Sequence, residues 1–154
     1  MNLFTTLQQF VPQQRLSKVA GRLAASRHPY VKRTFIRSFA KAYNVSLDEY
    51  ERQSLNAYES FNDFFTRELK EDARPIDITA DGIVSPADGV ISQLGQIDDH
   101  KVLQAKGRSY DVGQLLADSE DGHYFADGSF ATVYLAPSNY HRVHMPFAGT
   151  LTKT

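Results

Sequence analysis

The chain has 154 residues, of which 42% are hydrophobic, and it contains no cysteine. This composition predicts a globular protein with the core of about one domain, and it excludes disulfide bonds and thiolate metal sites. Every charged residue up to Ser46 is basic, whereas all 18 carboxylates follow it, which predicts that the first segment faces an anionic partner.

The basic segment carries helical periodicity. Apolar residues recur at spacings of three and four within residues 3–11, 16–23 and 31–43, which predicts short amphipathic helices. Such helices either form a layer packed on the rest of the protein, which periodicity alone favours, or lie in a membrane interface. Nucleic acid is a disfavoured third partner because no base-reading motif is present. With no spanning segment and no signal peptide, we expect a cytosolic protein or one on the cytosolic face of a membrane.

Two capping patterns follow the basic segment. Residues 46–48 are a candidate N-terminal cap for a helix that reaches Tyr58. Ser60 and Asp63 have the spacing of a capping box, and the phenylalanines that follow predict a helix through Leu69 with one face in the core.

From Arg74 onward the sequence pattern changes to short apolar runs typical of β-strands. Residues 83–84 and 90–91 flank a Pro-Ala-Asp-Gly turn, which predicts a hairpin. Strands are predicted at 102–105 and 130–135, with a short helix ending near Leu116. The fold class is therefore α+β, with N-terminal amphipathic helices (1–73) followed by a mainly antiparallel β body (74–154) that is incomplete at its C-terminus.

Three residues are candidates for chemistry. His141 and His144 follow Pro137 at the end of a strand, and imidazole exchanges protons near neutral pH; the alternative is a pair of ordinary surface histidines. Two histidines without a third ligand are a weak metal motif, so we predict no metal. Asp88 is a turn residue by local rules, and it gains a role only if it orients one of the histidines. No local context distinguishes any serine as a nucleophile.

Four segments in collinear order carry a family resemblance: FNDFFTRELKEDARPID, SPADGVISQLGQI, KVLQAKGRSYDVGQLL and LAPSNYHRVHMPFAGTL. Together they resemble bacterial phosphatidylserine decarboxylase through most of residues 55–154, and the basic start resembles that family's membrane-associated N-terminus. The resemblance implies a pyruvoyl-dependent carboxy-lyase of phospholipid biosynthesis, which converts phosphatidylserine to phosphatidylethanolamine and carbon dioxide through a pyruvoyl Schiff base. It also implies a peripheral protein on the cytoplasmic side of the cell membrane, with an anionic membrane surface as partner and no nucleic acid.

The resemblance implies roles for the three candidates. Asp88 and His144 match the charge-relay residues with which the proenzyme cleaves itself before a serine. That serine becomes the covalent pyruvoyl group of the smaller, C-terminal alpha subunit, which is a further expected partner. His141 matches a residue of the substrate pocket.

The family's cleavage motif lies well beyond the YHRVHMP segment, whereas this chain ends at Thr154. We therefore expect an N-terminal part of the proenzyme that is inactive alone because the serine is missing, and whose sheets have unpaired edges. Two alternatives stay open: a noncatalytic membrane-binding remnant, and a small β carrier or phosphotransfer module that uses one of the histidines. The unfinished C-terminus disfavours the module.

Overall fold

The computed structural model describes residues 13–77, 79, 82–98, 101–104, 108–117 and 119–150. Helices come first, and short antiparallel strands interleaved with two short helices follow. The elements in chain order are α1 (Gln13–Ala24), α2 (Pro29–Ala42), a 3-10 helix (Leu55–Ala57), α3 (Phe61–Phe65), β1 (Val90–Gln96), β2 (Lys101–Gln104), β3 (Arg108–Asp111), α4 (Val112–Leu116), α5 (Ser119–Tyr124) and β4 (Ser129–Tyr134). The predicted α+β class, helices followed by antiparallel strands, is confirmed.

The helices α1 and α2 confirm the second and third periodic stretches. Pro29 opens α2, where its missing N–H and fixed φ suit the first helical turn. The helix ends where Asn44 adopts a φ of 49° and the Val45 N–H donates to the Ala40 carbonyl, a C-terminal motif that tolerates asparagine. The stretch 3–11 lies outside the described residues. None of the helices described is long and apolar enough to cross a bilayer.

An aromatic core joins α2 to α3. Ile36, Tyr58 and Phe64 are fully buried, and the Phe39 ring meets Phe61 and Phe64 edge to face at centroid distances of 5.0 and 6.1 Å. The Ser60 hydroxyl accepts from the Asp63 N–H at 3.2 Å, as predicted. Helix α3 ends earlier than predicted, because the chain turns at Thr66 and Leu69 pairs with Tyr50 in an isolated β-bridge.

The helix predicted from residues 46–48 to Tyr58 is wrong. The Ser46 hydroxyl donates to Asp48 Oδ2 at 2.7 Å and accepts from the Asp48 N–H at 3.1 Å, a local pattern that competes with helix formation. The following backbone pairs instead across the chain, with Glu51 N–H donating to Glu68 O at 3.0 Å and Lys70 N–H donating to Glu49 O at 2.9 Å. Of the expected helix only the 3-10 helix Leu55–Ala57 forms.

The strands form two antiparallel pairs. β1 pairs with β4 from Val90↔Tyr134 to Gln96↔Ser129, with an irregularity between Ile91 and Gln93, and β2 pairs with β3. The predicted strand at 130–135 agrees with β4 and that at 102–105 agrees with β2 as far as Gln104, Ala105 lying outside the described residues. The short helix ending near Leu116 agrees with α4. Strand β3 and helix α5 were not predicted.

The predicted hairpin around Pro-Ala-Asp-Gly is wrong. Residues 90–91 begin β1, but their partners lie about 40 residues further along the chain, in β4. Val84 N–H donates instead to Pro146 O at 2.9 Å, so the segment before the turn pairs with the segment around Pro146. A side chain at Gly89 would clash with the Tyr134 carbonyl, which explains why the turn needs glycine.

Candidate functional site

A cavity of about 530 Å³ lies where residues 69–76, 84–88 and 140–145 meet. Its wall combines ionisable groups with apolar side chains, a mixture typical of small-molecule sites. The ionisable side chains are Lys70, Asp72, Arg74, Asp88, Tyr140 and His144, and the apolar ones include Leu69, Ile76, Val84 and Met145.

Two antiparallel segments hold the predicted residues on this wall. Asp88 and Tyr140 form an isolated antiparallel bridge, and the His144 N–H donates to the Pro86 carbonyl at 2.8 Å. Proline has no N–H, so these segments pair at a few points rather than as a continuous ladder. Asp88 and His144, which are 56 positions apart, thus line the same cavity.

The Asp88 carboxylate is held by Arg74. Arg74 Nε and Nη2 donate to its two oxygens at 2.9 and 3.0 Å, and the same guanidinium binds both oxygens of Glu49 at 3.1 and 3.0 Å. The hydrogen bonds and charge of Arg74 lower the pKa of Glu49, and the two carboxylates raise the pKa of Arg74 well above its usual range. One guanidinium thus binds two carboxylates, and the charged side chains that line the cavity, Lys70, Asp72, Arg74 and Asp88, balance to no net charge.

The imidazole of His144 is held by Tyr140. His144 Nε2 and the Tyr140 hydroxyl share a hydrogen bond of 3.0 Å, and the two rings stack with centroids 5.5 Å apart. Tyr140 is buried whereas His144 is exposed. The tyrosine therefore orients an imidazole that stays accessible from the cavity.

His141 has different neighbours. Its ring stacks on Phe65 at a centroid distance of 4.0 Å, and its Nε2–H donates to the Ala136 carbonyl at 3.0 Å. Burial lowers its pKa below 6.5, an effect that the Ala136 hydrogen bond partly opposes. The two histidines thus occupy different environments, with His141 against Phe65 at the end of α3 and His144 on the cavity wall.

The residues that sequence reasoning missed are Arg74, Glu49 and Tyr140. No spacing marks the first two, because Arg74 binds carboxylates 14 positions after and 25 positions before it. Tyr140 stands beside His141 in the sequence, but only the fold shows that it serves His144. Within the described residues, no group of three or more His, Asp or Glu side chains is placed to hold a metal ion.

Three known proteins that match this chain belong to one family. The family model described as phosphatidylserine decarboxylase matches residues 61–154, and a second model, described as PSD, matches residues 3–44. The phosphatidylserine decarboxylase proenzymes of Psychrobacter cryohalolentis and Psychrobacter arcticus are each 86% identical over the whole chain, which spans 56% of their length. That of Acinetobacter baumannii is 51% identical over 152 residues, or 99% of this chain and 54% of the relative. The chain thus spans little more than half the length of these curated relatives.

Proposed function

Because the chain belongs to the phosphatidylserine decarboxylase family, we propose that it is part of a proenzyme that cleaves itself and then converts phosphatidylserine to phosphatidylethanolamine and carbon dioxide. One observation carries the proposal. The family match, residues 61–154, includes the whole cavity wall, and Asp88 and His144 both line that cavity.

In the proposed self-cleavage, His144 is the base. A serine hydroxyl that attacks the preceding carbonyl must lose its proton as the peptide C–N bond is replaced by an ester C–O bond. The accessible His144 imidazole takes that proton, and Tyr140 keeps the ring oriented as it does so. Asp88, the second proposed charge-relay residue, lies on the same cavity wall, where Arg74 holds its carboxylate.

The cavity also fits the cofactor expected for the family. Its volume of about 530 Å³ lies within the roughly 300–1,000 Å³ of small-molecule sites, which accommodates a three-carbon pyruvoyl group and a lipid headgroup. Tyr140 and His144 would hold the group by hydrogen bonds, and Ile76, Val84 and Met145 would offer it apolar contacts. When bound, a pyruvoyl group supplies a ketone carbonyl, which combines with the substrate amine and accepts the electrons released as the carboxylate leaves.

We propose that His141 acts on the bound substrate during decarboxylation, rather than in self-cleavage. Its lowered pKa favours a neutral ring at neutral pH, and the Nε2–H bond to Ala136 leaves Nδ1 as the basic atom of that ring. A neutral imidazole of this kind can accept a hydrogen bond from the headgroup or exchange a proton with it. The carrier alternative would instead make one histidine a phosphate acceptor.

Helix α1 supports an anionic membrane surface as a partner. Its residues Leu16, Val19 and Leu23 recur on one face and remain 60%, 51% and 40% exposed, while Arg15, Lys18 and Arg22 supply its charge. Each cation near anionic lipid adds about 1 kcal/mol of attraction. We therefore propose a peripheral protein on the cytoplasmic side of the cell membrane, which would bring it to its lipid substrate.

The catalytic proposal is tested in a chimaera in which this chain replaces the matching segment of the P. cryohalolentis proenzyme. Denaturing gels report self-cleavage, and carbon dioxide release from labelled phosphatidylserine reports decarboxylation. His144→Ala and Asp88→Asn should slow cleavage by at least about a hundredfold, whereas His141→Ala should be cleaved but decarboxylate poorly. His28→Gln, a histidine before α2, is the matched control. Normal cleavage of both the Asp88 and His144 variants would overturn the proposal.

The membrane proposal is tested by vesicle cosedimentation of the same chimaera. Binding should be stronger to phosphatidylserine-containing vesicles than to neutral phosphatidylcholine vesicles, and salt should weaken it. Leu16→Glu should reduce binding, whereas Leu94→Glu, at a still more exposed leucine on β1, should not. Equal binding by both variants would contradict a role for α1, and binding without carbon dioxide release would favour the noncatalytic remnant.

A further inference from the structure

Arg67 is a fully buried cation, with 0% of its surface exposed. Its hydrogen-bond acceptors are neutral: Nη2 donates to Ser138 O at 2.6 Å, to Asn139 O at 3.1 Å and to the Tyr50 hydroxyl at 3.1 Å, and Nη1 donates to Phe64 O at 3.4 Å. Its Nε is buried without a hydrogen-bond partner in the described part of the chain. A buried charge is costly unless it is well compensated, so its retention here calls for an explanation.

Two aromatic rings complete the surroundings of this guanidinium. It lies 4.3 Å from the ring centroid of Tyr50 and 5.2 Å from that of Phe64, both cation–π distances. A planar guanidinium can stack on rings and donate in its own plane at once, which a lysine ammonium cannot. Arginine is therefore specifically suited to this position.

The carbonyls that Arg67 holds belong to a tight turn that leads into the site. In this turn the Asn139 N–H donates to Ala136 O at 2.9 Å, and the Ala136 N–H donates to Asn139 Oδ1 at 2.7 Å. The same Ala136 carbonyl accepts the Nε2–H of His141. A continuous set of hydrogen bonds therefore runs from Arg67 through residues 136–139 to the imidazole.

We propose that Arg67 is a positioning residue, which clamps the turn of residues 136–139 so that the Ala136 carbonyl fixes the ring and tautomer of His141. Arg67 is separated in sequence from Ser138 by 71 residues and from Asn139 by 72. Its contact with them therefore sets where the histidine segment lies against the helices. The charge of Arg67 also contributes, after burial, to the lowered pKa of His141. The inference rests on the proposed function only for its consequence in decarboxylation.

The test uses the full-length chimaera with ring-¹⁵N-labelled histidine, and the His141→Ala variant identifies the His141 signals. In the unmodified protein, Nε2 should carry the proton of the neutral ring. Arg67→Lys and Arg67→Met should each lose this preference, and in Arg67→Met the titration midpoint of His141 should also rise. If Arg67→Met does not fold, Arg67→Lys decides, because a lysine ammonium cannot stack on the Tyr50 and Phe64 rings and donate in one plane to the carbonyls as the guanidinium does.

Arg142→Met is the matched control. Arg142 joins the same two segments, donating to Thr66 O at 2.8 Å and to Glu68 at 2.6 Å, but at the exposed surface. It should leave the His141 tautomer unchanged. An unchanged tautomer in folded Arg67→Lys would overturn the proposal, and so would an equal change in Arg142→Met, which would indicate general loosening.

A kinetic measurement separates this inference from the proposed function. Arg67→Lys should lower kcat for decarboxylation about tenfold or more by misplacing His141, while self-cleavage proceeds, and combining it with His141→Ala should add little further loss. If His141→Ala decarboxylates normally, the role proposed for His141 fails, but the tautomer measurement still decides the role of Arg67.

Discussion

Two parts of the molecule bury their apolar side chains to different extents: the helical part, residues 13–73, and the strand part, residues 82–150. Between positions 36 and 67, Ile36, Tyr58 and Phe64 are completely excluded from solvent. In β1, by contrast, Ile91 and Leu94 are 60% and 73% exposed. The helical part thus has a core of its own, whereas the described strands leave much of their apolar surface uncovered.

The difference follows from the geometry of the elements. Aromatic rings from α2 and α3 pack edge to face around a common centre, which a few residues suffice to build. A two-stranded sheet has two faces and two edges and is marginally stable by itself. Among the described residues, the strand part buries Tyr140 and a small cluster around Ile97 and Val112, beside an apolar cavity of about 290 Å³. The aromatic core should therefore dominate the stability of the described region.

Substitution of Phe64 by alanine should produce the largest effect. Loss of a fully buried ring in contact with Phe39 and Tyr58 should lower the free energy of unfolding by about 3–5 kcal/mol. Leu94→Ala is the control, and it should change that free energy by less than about 0.5 kcal/mol, since the side chain is mainly exposed. Urea denaturation followed by far-ultraviolet circular dichroism compares the two, and similar losses would contradict the asymmetry between the two parts.

Acid should weaken the helical part through Asp63. Arg52 donates to both Asp63 oxygens at 2.7 and 2.6 Å, and this hydrogen bonding lowers the pKa of Asp63 below 3.8. As pH falls below about 4, the unfolded chain therefore takes up this proton before the folded chain does, so stability falls. The contribution is present in full at neutral pH and is lost as pH drops through the folded pKa.

Asp63→Asn tests this linkage. It should lower the free energy of unfolding at neutral pH by about 0.5–1 kcal/mol and flatten its dependence on pH between about 5 and 3. Urea midpoints measured across this range check both effects. Asp127→Asn, an exposed aspartate before β4, should keep the slope of the parent protein; a parallel slope in Asp63→Asn would show that Arg52 does not stabilise the carboxylate.

The junction between the two parts can be probed at Phe65. Phe65 covers the His141 ring, and burial is the main cause of the lowered His141 pKa. Phe65→Ala should therefore move the pKa of His141 upward, towards 6.5, and reduce the stability that is lost as pH falls through that region. Titration of the His141 ring protons by NMR measures the shift, with Phe125→Ala in the strand part as control.

Sequence patterns predicted the elements that depend on interactions between neighbouring residues. The periodic stretches 16–23 and 31–43 became α1 and α2, and Ser60 caps α3 as its spacing indicates. The helix through Tyr58 and the Pro-Ala-Asp-Gly hairpin failed, because backbone groups at those positions pair with distant segments rather than with neighbours. Tertiary pairing of this kind overrides local preference, and a single sequence does not encode it as spacing.

Some residues of the candidate site could be identified from the sequence, and others could not. Asp88 and His144 were singled out through motifs that resemble a family, and the fold places both on one cavity wall. Arg74 and Arg67 were not identified, because an arginine acquires meaning only from the acceptors that the fold brings to it. For Arg67 these acceptors are carbonyls of residues 138 and 139, which have no side-chain pattern to predict them.

The smallest expected effect concerns the exposed ion pair at the junction. Arg142 Nη1 and Glu68 Oε1 lie 2.6 Å apart, but their side chains are 39% and 54% exposed. Solvent screens such a pair, so Glu68→Gln should lower the free energy of unfolding by about 0.5 kcal/mol or less, and salt should remove the difference. Urea denaturation at low and high salt measures it. Because Arg142 also donates to Thr66 O, the junction should survive this substitution; a loss as large as that of Phe64→Ala would mean that the surface pair, rather than the buried contacts, holds the two parts together.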